Sequence, residues 1–548
     1  MKRPVLMNRP QAQMMSSPSD TQRSLAGGIS ILGIAGLICK VVGVLYRIPL
    51  VNSIGALGVA VYQQVFPTYN LLLVISSAGI PVAISRMVAH HMAKQDPDSA
   101  RQVFTVALCI LTLLGIVSTA LMLAFSGALS RAAGTAESLA GFQMIAPSLF
   151  LVCVMSAFRG YMQGRRRMIP TAVSQLIEQV GKVGIAIPLA LMGMRRGGYA
   201  MGAAGALLGT SIAEAIALIY MMIDYYFARP RLPALTPEAR NRMLPGRRVT
   251  RELVFIAVPI TIGACIVPLA GAIDSFMLVN IMRGYMTELG ARITFGVYSG
   301  MVLTLINVPT ALAMAMATNL VPAISSARAL DDNDRIRSEA ATGLRLASVV
   351  GFPAAIGMSM LAEPILLLLF GGGKDSVSSL LTGAQLLRVS SLTILLFTQV
   401  QATSAILQGL HKQRIPMYTL AVGMLLKVAV NYALVRMPQV NIQGAPFASL
   451  LCYGVSLAPN LYFTARYGRM KLSFQDILLR PGLAALIMAL PVAALMAVFG
   501  TQLNRSWLRL GLTVALAAAV YLAAAYKLQA IKPSDLPHFI RRRLTPHA

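Results

Sequence analysis

Residues 156–182 read SAFRGYMQGRRRMIPTAVSQLIEQVGK, and residues 404–427 read SAILQGLHKQRIPMYTLAVGMLLK. In both, an apolar run closes in Gln-Gly, a short basic turn follows, and an Ile-Pro pair restarts the run. A lysine lies about three helical turns further on, Lys182 in the first copy and Lys427 in the second. Proline is tolerated at the start of a helix because its missing N–H has no partner there, so each stretch predicts helix, turn, helix. A pattern stated twice predicts two copies of one helical bundle, facing each other across a charged cavity.

Composition sets the solvent. Of 548 residues 56% are hydrophobic and 12% charged, and the mean hydropathy is +0.69. A soluble fold could not bury that much apolar surface, whereas lipid accepts it. Apolar runs of about twenty residues recur along nearly the whole chain, which predicts an all-α polytopic membrane protein. A transmembrane β-barrel would show short alternating segments instead. Cys39, Cys109, Cys153, Cys265 and Cys452 all lie in apolar runs without CxxC spacing and read as small packing residues.

Fourteen spans are expected, at about 25–47, 59–84, 102–126, 139–160, 170–192, 199–227, 252–279, 292–321, 341–362, 380–408, 415–436, 442–465, 478–499 and 508–527. An even number puts both termini on one side. With residues at span ends counted in the adjacent loop, 32 of the 47 Lys and Arg fall on the side of the termini and 9 on the other. By the positive-inside rule the termini are cytoplasmic. The net charge of +28 is thus a topology signal, and nucleic acid is not an expected partner.

The halves echo each other elsewhere. GVAVYQQVFPTYN (58–70) and GIPVAISR (79–86) in the second span correspond to FGVYSGMVLTLIN (295–307) and NLVPAISSAR (319–328) in the eighth. Both copies start from the same side, so the repeat is parallel, about an axis along the membrane normal. The expected organisation is a disordered basic cytoplasmic tail (1–24), a six-helix lobe (25–228), a basic linker facing lipid headgroups (229–251) and a second six-helix lobe (252–466). Two further helices (477–530) and a basic tail (531–548) complete it.

Six basic residues remain inside the spans: Lys40, Arg47, Arg159, Lys182, Arg388 and Lys427. Arg47, Arg159 and Arg388 lie near span ends, within snorkelling reach of the interface. Each of the deeper Lys40, Lys182 and Lys427 would cost about 2.5 to 3.5 kcal/mol facing lipid, so they are expected to face protein or water. Lys40 and Arg47 are seven residues apart, two turns on one helical face, a stripe suited to an anion. The acids are fewer: Glu178, Glu214, Asp274, and Asp224 near a span end. Glu178 and Lys182 are spaced for an ion pair within one helix. Asp274 has no basic residue within a turn of its own helix; pairing with Lys427, a coupling cation or a proton are its three expected uses. Prolines such as Pro67, Pro81, Pro188, Pro259, Pro268, Pro309 and Pro322 punctuate the spans, as in helices that line transporter cavities. There is no GxxxxGK[ST] phosphate loop, no histidine pair spaced for a metal, and no outer loop long enough for a catalytic domain. A transporter without a cofactor is expected, not an enzyme.

FRGYMQGRRRMIPTAVSQLIEQ, ICKVVGVLYRIPLV and ILQGLHKQRIP resemble the SpoVB/MurJ-type polysaccharide-biosynthesis proteins of the MOP exporter superfamily, across roughly residues 25–530. The resemblance implies a V-shaped, MATE-like pair of lobes working by alternating access. It implies flipping of an undecaprenyl-pyrophosphate-linked sugar, such as the peptidoglycan precursor lipid II or a spore-cortex precursor, from the inner to the outer leaflet of the bacterial plasma membrane. In that family arginines on the first, second and eighth helices contact the pyrophosphate. Lys40 matches the first charge of the first helix and Arg47 lies one residue from the second, while the second-helix arginines are replaced by NLLLVISSAGIP (70–81). The expected pyrophosphate contacts are therefore Lys40, Arg47, Lys182 and Lys427, with Asp274 and Glu178 in ion coupling or charge pairing. Anionic lipids and wall-synthesis proteins are the further expected partners. Alternatives are a MATE-like cation-coupled exporter, a membrane-embedded enzyme, and a scaffold of wall-polymer assembly.

Overall fold

The computed structural model describes residues 18–228 and 245–532, which form helices joined by short turns, with no strand among them. Backbone in hydrocarbon must satisfy its own hydrogen bonds, and the helix does so within one segment. Among the described residues ten helices are long and apolar enough to cross a membrane, or eleven if Val377–Ser390 and Leu392–Gly409, bent by 41°, count as one.

Two of these cross twice. The helix α1 (Pro18–Ser77) has 60 residues, about 90 Å at the α-helical rise, three times the hydrocarbon thickness. It turns back at Gly55 (φ 68°, ψ 176°), a backbone region open essentially to glycine alone. The arms then run antiparallel, with Arg47 beside Tyr62 and Val51 beside Val59 around one crevice. The segment from α5 (Ile169–Gly181) through a π-helical turn (Lys182–Ala186) into α6 (Ile187–Ala228) repeats the device at Gly198 (φ 68°, ψ −158°). Its arms touch through Gly193 against Met201, Gly205 against Leu189 and Gly209 against Ala186. One further crossing, the twelfth in chain order, completes fourteen: α15 (Gly444–Tyr467), kept out of the apolar set by Ser456, Asn460 and Thr464, all fully buried against its neighbours.

The remaining helices are α2 (Ile80–Ala93), α3 (Pro97–Ala132), α4 (Ser138–Gly164), α7 (Gly246–Met282), α8 (Glu288–Gly296) and α9 (Leu303–Ala329). They continue as α10 (Asn333–Met360), α11 (Ala362–Phe370), α12 (Val377–Ser390), α13 (Leu392–Gly409), α14 (Arg414–Val435), α16 (Arg480–Phe499) and α17 (Trp507–Lys527). α2 completes the second crossing; α8 and α9, joined by a π-helical turn (Val297–Val302), make the eighth. Crossings one to six and seven to twelve are two copies of one lobe.

The turns carry that symmetry in detail. After Gln-Gly, Arg166 (φ 60°) and His411 (φ 59°) take the same left-handed conformation. The next amide N–H reaches back five residues in each copy, Arg167 to Met162 and Lys412 to Leu407. Two connections earlier, on the same face, Gln95 (φ 56°) matches Asp331 (φ 51°). The aspartate that follows caps the next helix both times, Asp96 accepting from Ser99 N–H and Asp332 from Arg335 N–H. Gly164 and Gly409 lie against Val88 and Ile324, so the basic turn abuts the end of the second crossing of its own lobe.

The lobes share one core at one face and are joined more sparingly at the other. A single core cluster runs across both, from Leu50 and Ile54 to Phe295, Phe370 and Ile442. Toward the basic turns it gives way to separate clusters, one around Met87 and Tyr161 and one around Ile324 and Ile406. The start of α7 (Val249, Leu253, Ala257) leans on the first of these and forms one flank of the opening. α16 and α17 pack together against Leu361 and the α10 side chains Phe352 and Ile356, apart from the seam.

Two boundaries differ from the expectation. Helix α1 begins at Pro18, so residues 18–24 are helical, and residues 246–251 of the basic linker are the first turns of α7. Residues 1–17, 229–244 and 533–548 lie outside the described residues. A Cβ at Gly205 would strike the Leu189 carbonyl, whereas one at Gly184 meets nothing within 4 Å. Gly205→Val is therefore expected to destabilise by about 1–3 kcal/mol through overpacking and Gly184→Ala to be tolerated, as thermal unfolding of the detergent-solubilised protein would show.

Candidate functional site: a cationic cavity sealed at one face

The seal is built from polar contacts between lobes, set in the core that joins them. Gln63 Nε2 donates to the Ser299 carbonyl at 2.9 Å, and Asn52 Nδ2 to the Leu369 carbonyl at 2.8 Å. Asp375 Oδ1 accepts the Ala56 N–H at 2.8 Å, capping the second crossing just past the Gly55 reversal. Arg292, 7% exposed, pairs with Glu137 of the other lobe at 3.0 Å and with Glu288 of its own helix. Tyr199 also donates to Glu137, and Arg283 reaches the Gly134 carbonyl. Partial burial alone would raise the Glu137 carboxyl, but a backbone hydrogen bond, Arg292 and Tyr199 outweigh it and hold it below the usual glutamate range.

Behind the seal lies the cavity, in two adjoining parts. About 380 Å³ is lined by Cys39, Arg47, Tyr62, Gln179, Lys182 and Met314 among others. About 270 Å³ is lined by Gln63, Asp274, Tyr298, Lys427, Ser449 and Tyr453 among others. Asn307 and Thr310 of α9 belong to both walls. Each volume is near the lower end of the range of small-molecule sites.

The charges are held differently on the two sides. Lys182 Nζ lies 3.0 Å from Glu178, which also takes Arg159 at 3.3 Å; the Arg159 Nε donates to Ser174 Oγ at 3.0 Å. Lys427 Nζ lies 2.5 Å from Asp274 Oδ2 on α7, and Asn431 Nδ2 donates to the other oxygen at 2.8 Å. Arg47 has no ion-pair partner among the described residues. Three cations and one acid line the walls, and that acid is already engaged, so the cavity offers net positive charge in a weakly screening medium.

Of the sequence-derived candidates, Arg47, Lys182, Lys427 and Asp274 meet at this cavity, and Glu178 stands directly behind Lys182. Asp274 is paired with Lys427, one of its three expected uses. Lys40 falls within α1, and its side chain lies outside the described residues. Arg159 turns inward to Glu178 instead of to the interface, and Arg388 pairs with Glu363 at 3.6 Å. Sequence reasoning missed the seal: Arg292 counted as a loop charge, and Glu137, Asn52 and Asp375 sit in unremarkable connections.

Twelve crossings in two repeated lobes, with two more beyond them, meeting over a cavity closed at one face, define the fold of a two-lobed membrane transporter. Residues 25–328, more than half the chain, match the family described as Polysaccharide biosynthesis protein, and the chain belongs to that family. Residues 259–433 match the MatE family. The chain is 25% identical over 545 residues to the lipid II flippase MurJ of Bacillus subtilis (strain 168), covering 94% of this chain and 98% of that one. It is 24% identical over 427 residues to stage V sporulation protein B of the same organism, covering 77% and 80%. Among solved structures, lipid II flippase MurJ in an inward closed conformation superposes with a TM-score of 0.69 at 12% identity, covering 90% of this chain and 97% of that one.

Removing one partner of a buried pair strands the other. Asp274→Asn is expected to cost about 3–5 kcal/mol, much of it regained in Asp274→Asn/Lys427→Met, as a double-mutant cycle on thermal unfolding would show. At the seal, Arg292→Glu should lengthen the distance between spin labels at the exposed Leu139 and Leu289, and adding Glu137→Arg should shorten it again. Because the Glu137 carboxyl is held low, its share of the seal is complete above the ordinary glutamate range and is lost as pH falls through the lowered value. The same label distance, followed during acidification, reports that loss.

Proposed function

We propose that the protein flips an undecaprenyl-pyrophosphate-linked sugar from the inner to the outer leaflet of a bacterial cytoplasmic membrane by alternating access. The observation that carries this reading is the convergence of Arg47, Lys182 and Lys427 on one cavity at the lobe seam. A pyrophosphate is a compact multivalent anion, and charge-assisted hydrogen bonds from Arg and Lys offset part of its dehydration. Gln63, Gln179, Asn307 and Thr310 add neutral polar groups suited to its sugar.

The positive-inside asymmetry puts both termini in the cytoplasm. On that orientation the sealed face is the outer one and the cavity opens inward, ready to load. Residues 25–228 and 252–466 are then the two moving lobes, and 477–530 an accessory pair. The basic tails and the 229–251 linker face anionic headgroups, and wall-synthesis proteins receive the product. An inside-negative potential drives a bound anion outward by about 2.3 kcal/mol per charge per 100 mV and draws the emptied cationic cavity back. The likeness to lipid II flippase MurJ supports a peptidoglycan precursor, and that to stage V sporulation protein B a spore-cortex one.

The MatE match over residues 259–433 favours a second reading, export of small cations. Its weakness is chemical: Asp274, the acid that would hold the cation, is already occupied by Lys427.

Proteoliposomes loaded with a fluorescent lipid-linked sugar pyrophosphate test the first reading. Arg47→Ala should slow flipping by about tenfold or more, the worth of one charged hydrogen bond, with protein yield unchanged. Flipping that is indifferent to Arg47→Ala, Lys182→Ala and Lys427→Ala together would overturn it. Cation efflux in the same vesicles would establish the second.

A further inference from the structure

The charge cluster behind Lys182 contains an acid that the cavity does not use. Glu214 of α6 is 2% exposed. Its Oε1 accepts a hydrogen bond from Tyr69 at 3.1 Å, and the Tyr69 oxygen is itself 3.2 Å from Ser148 Oγ. Its Oε2 is buried with no partner among the described residues. The helices around it supply polar or charged neighbours: Tyr62 and Tyr69 from α1, Ser148 and Arg159 from α4, and Glu178 and Lys182 from the α5 side. Both cations nevertheless turn to Glu178, at 3.0 and 3.3 Å, and neither lies within ion-pair distance of Glu214. The helices themselves are in contact, since Gly181 and Ala213, the residues next to Lys182 and Glu214, touch.

A carboxylate taken out of water without a cation is strongly disfavoured, and the group takes up a proton instead. We propose that Glu214 is a proton-binding site whose occupancy sets the charge presented by Lys182 to the cavity. With Glu214 protonated, Arg159, Lys182 and Glu178 carry one net positive charge, available to an anion. With Glu214 ionised the four groups sum to zero, and Lys182 gains a second carboxylate to turn to. Anion and proton therefore favour each other's binding, and by linkage the effect is reciprocal. The proton site rests on geometry alone; its coupling to an anion rests on the function proposed above.

The test uses the full chain in lipid nanodiscs, with inorganic pyrophosphate as the probe. At neutral pH the infrared difference spectrum between wild type and Glu214→Gln should contain a protonated-carboxyl C=O band, shifted in Tyr69→Phe, which loses the hydrogen bond but keeps the acid. Pyrophosphate affinity should fall by about tenfold as alkali ionises Glu214, a coupling of ordinary size. Glu214→Gln should hold the low-pH affinity throughout. Absence of the band at neutral pH would overturn the proton site, and an unchanged pH dependence in Glu214→Gln would overturn the coupling. A band that is present while pyrophosphate binds at no pH would support the proton site and refute the anion reading instead.

Discussion

Charge in hydrocarbon is the constraint on which the rest of the structure depends. Each buried lysine must either meet an acid or face water, and this protein does both at once: Lys182 and Lys427 line the cavity while leaning on Glu178 and Asp274. The pairing is not symmetric. Lys182 is held by its own helix, so it moves with its partner. Lys427 is held across from α14 to α7 and ties the eleventh crossing to the seventh. Equivalent positions in two copies of one lobe thus serve different mechanical ends, one as a carried charge and one as a clasp within the second lobe.

The same constraint explains where the lobes join. At the sealed face a shared apolar core surrounds a few polar contacts, several made to main-chain groups left unpaired at helix ends, such as the Ala56 N–H and the Leu369 carbonyl. Most are made by residues in or beside the connections between crossings, such as Asn52, Glu137 and Asp375. When the pair between lobes, Arg292 with Glu137, opens, Arg292 keeps Glu288 of its own helix, so the buried cation is not left without an acid.

Much of the architecture was legible in the sequence, because membrane helices announce themselves through length and hydropathy and loops through basic residues. The repeat was legible because QGRRRMIP and QGLHKQRIP occupy a turn whose geometry both lobes need, down to the left-handed residues Arg166 and His411. Cavity lysines stood out since nothing else excuses a charge so deep in a span. What stayed hidden depends on proximity between helices remote in sequence: Asn52 with Leu369, Glu137 with Arg292, Tyr69 with Glu214. No spacing within one helix encodes such a meeting. Arg159 was misjudged for the same reason, its position near a span end suggesting the interface when Glu178 and Ser174 of the next crossing draw it inward.

Two of the three π-helical turns among the described residues, Lys182–Ala186 and Val297–Val302, sit where a crossing borders the cavity or the seam, while the third, Gln475–Leu479, leads into α16. A π turn holds one residue more than the α-helix around it, which amounts to a stored register shift. Restoring α geometry at the first would rotate everything beyond it by one residue's worth, about 100°. Lys182 stands at the start of that turn, directly on the pivot. The fifth crossing is therefore built like a screw with a spare thread, able to swing the cavity lysine relative to the arm that ends at Gly198 without breaking the helix that carries it.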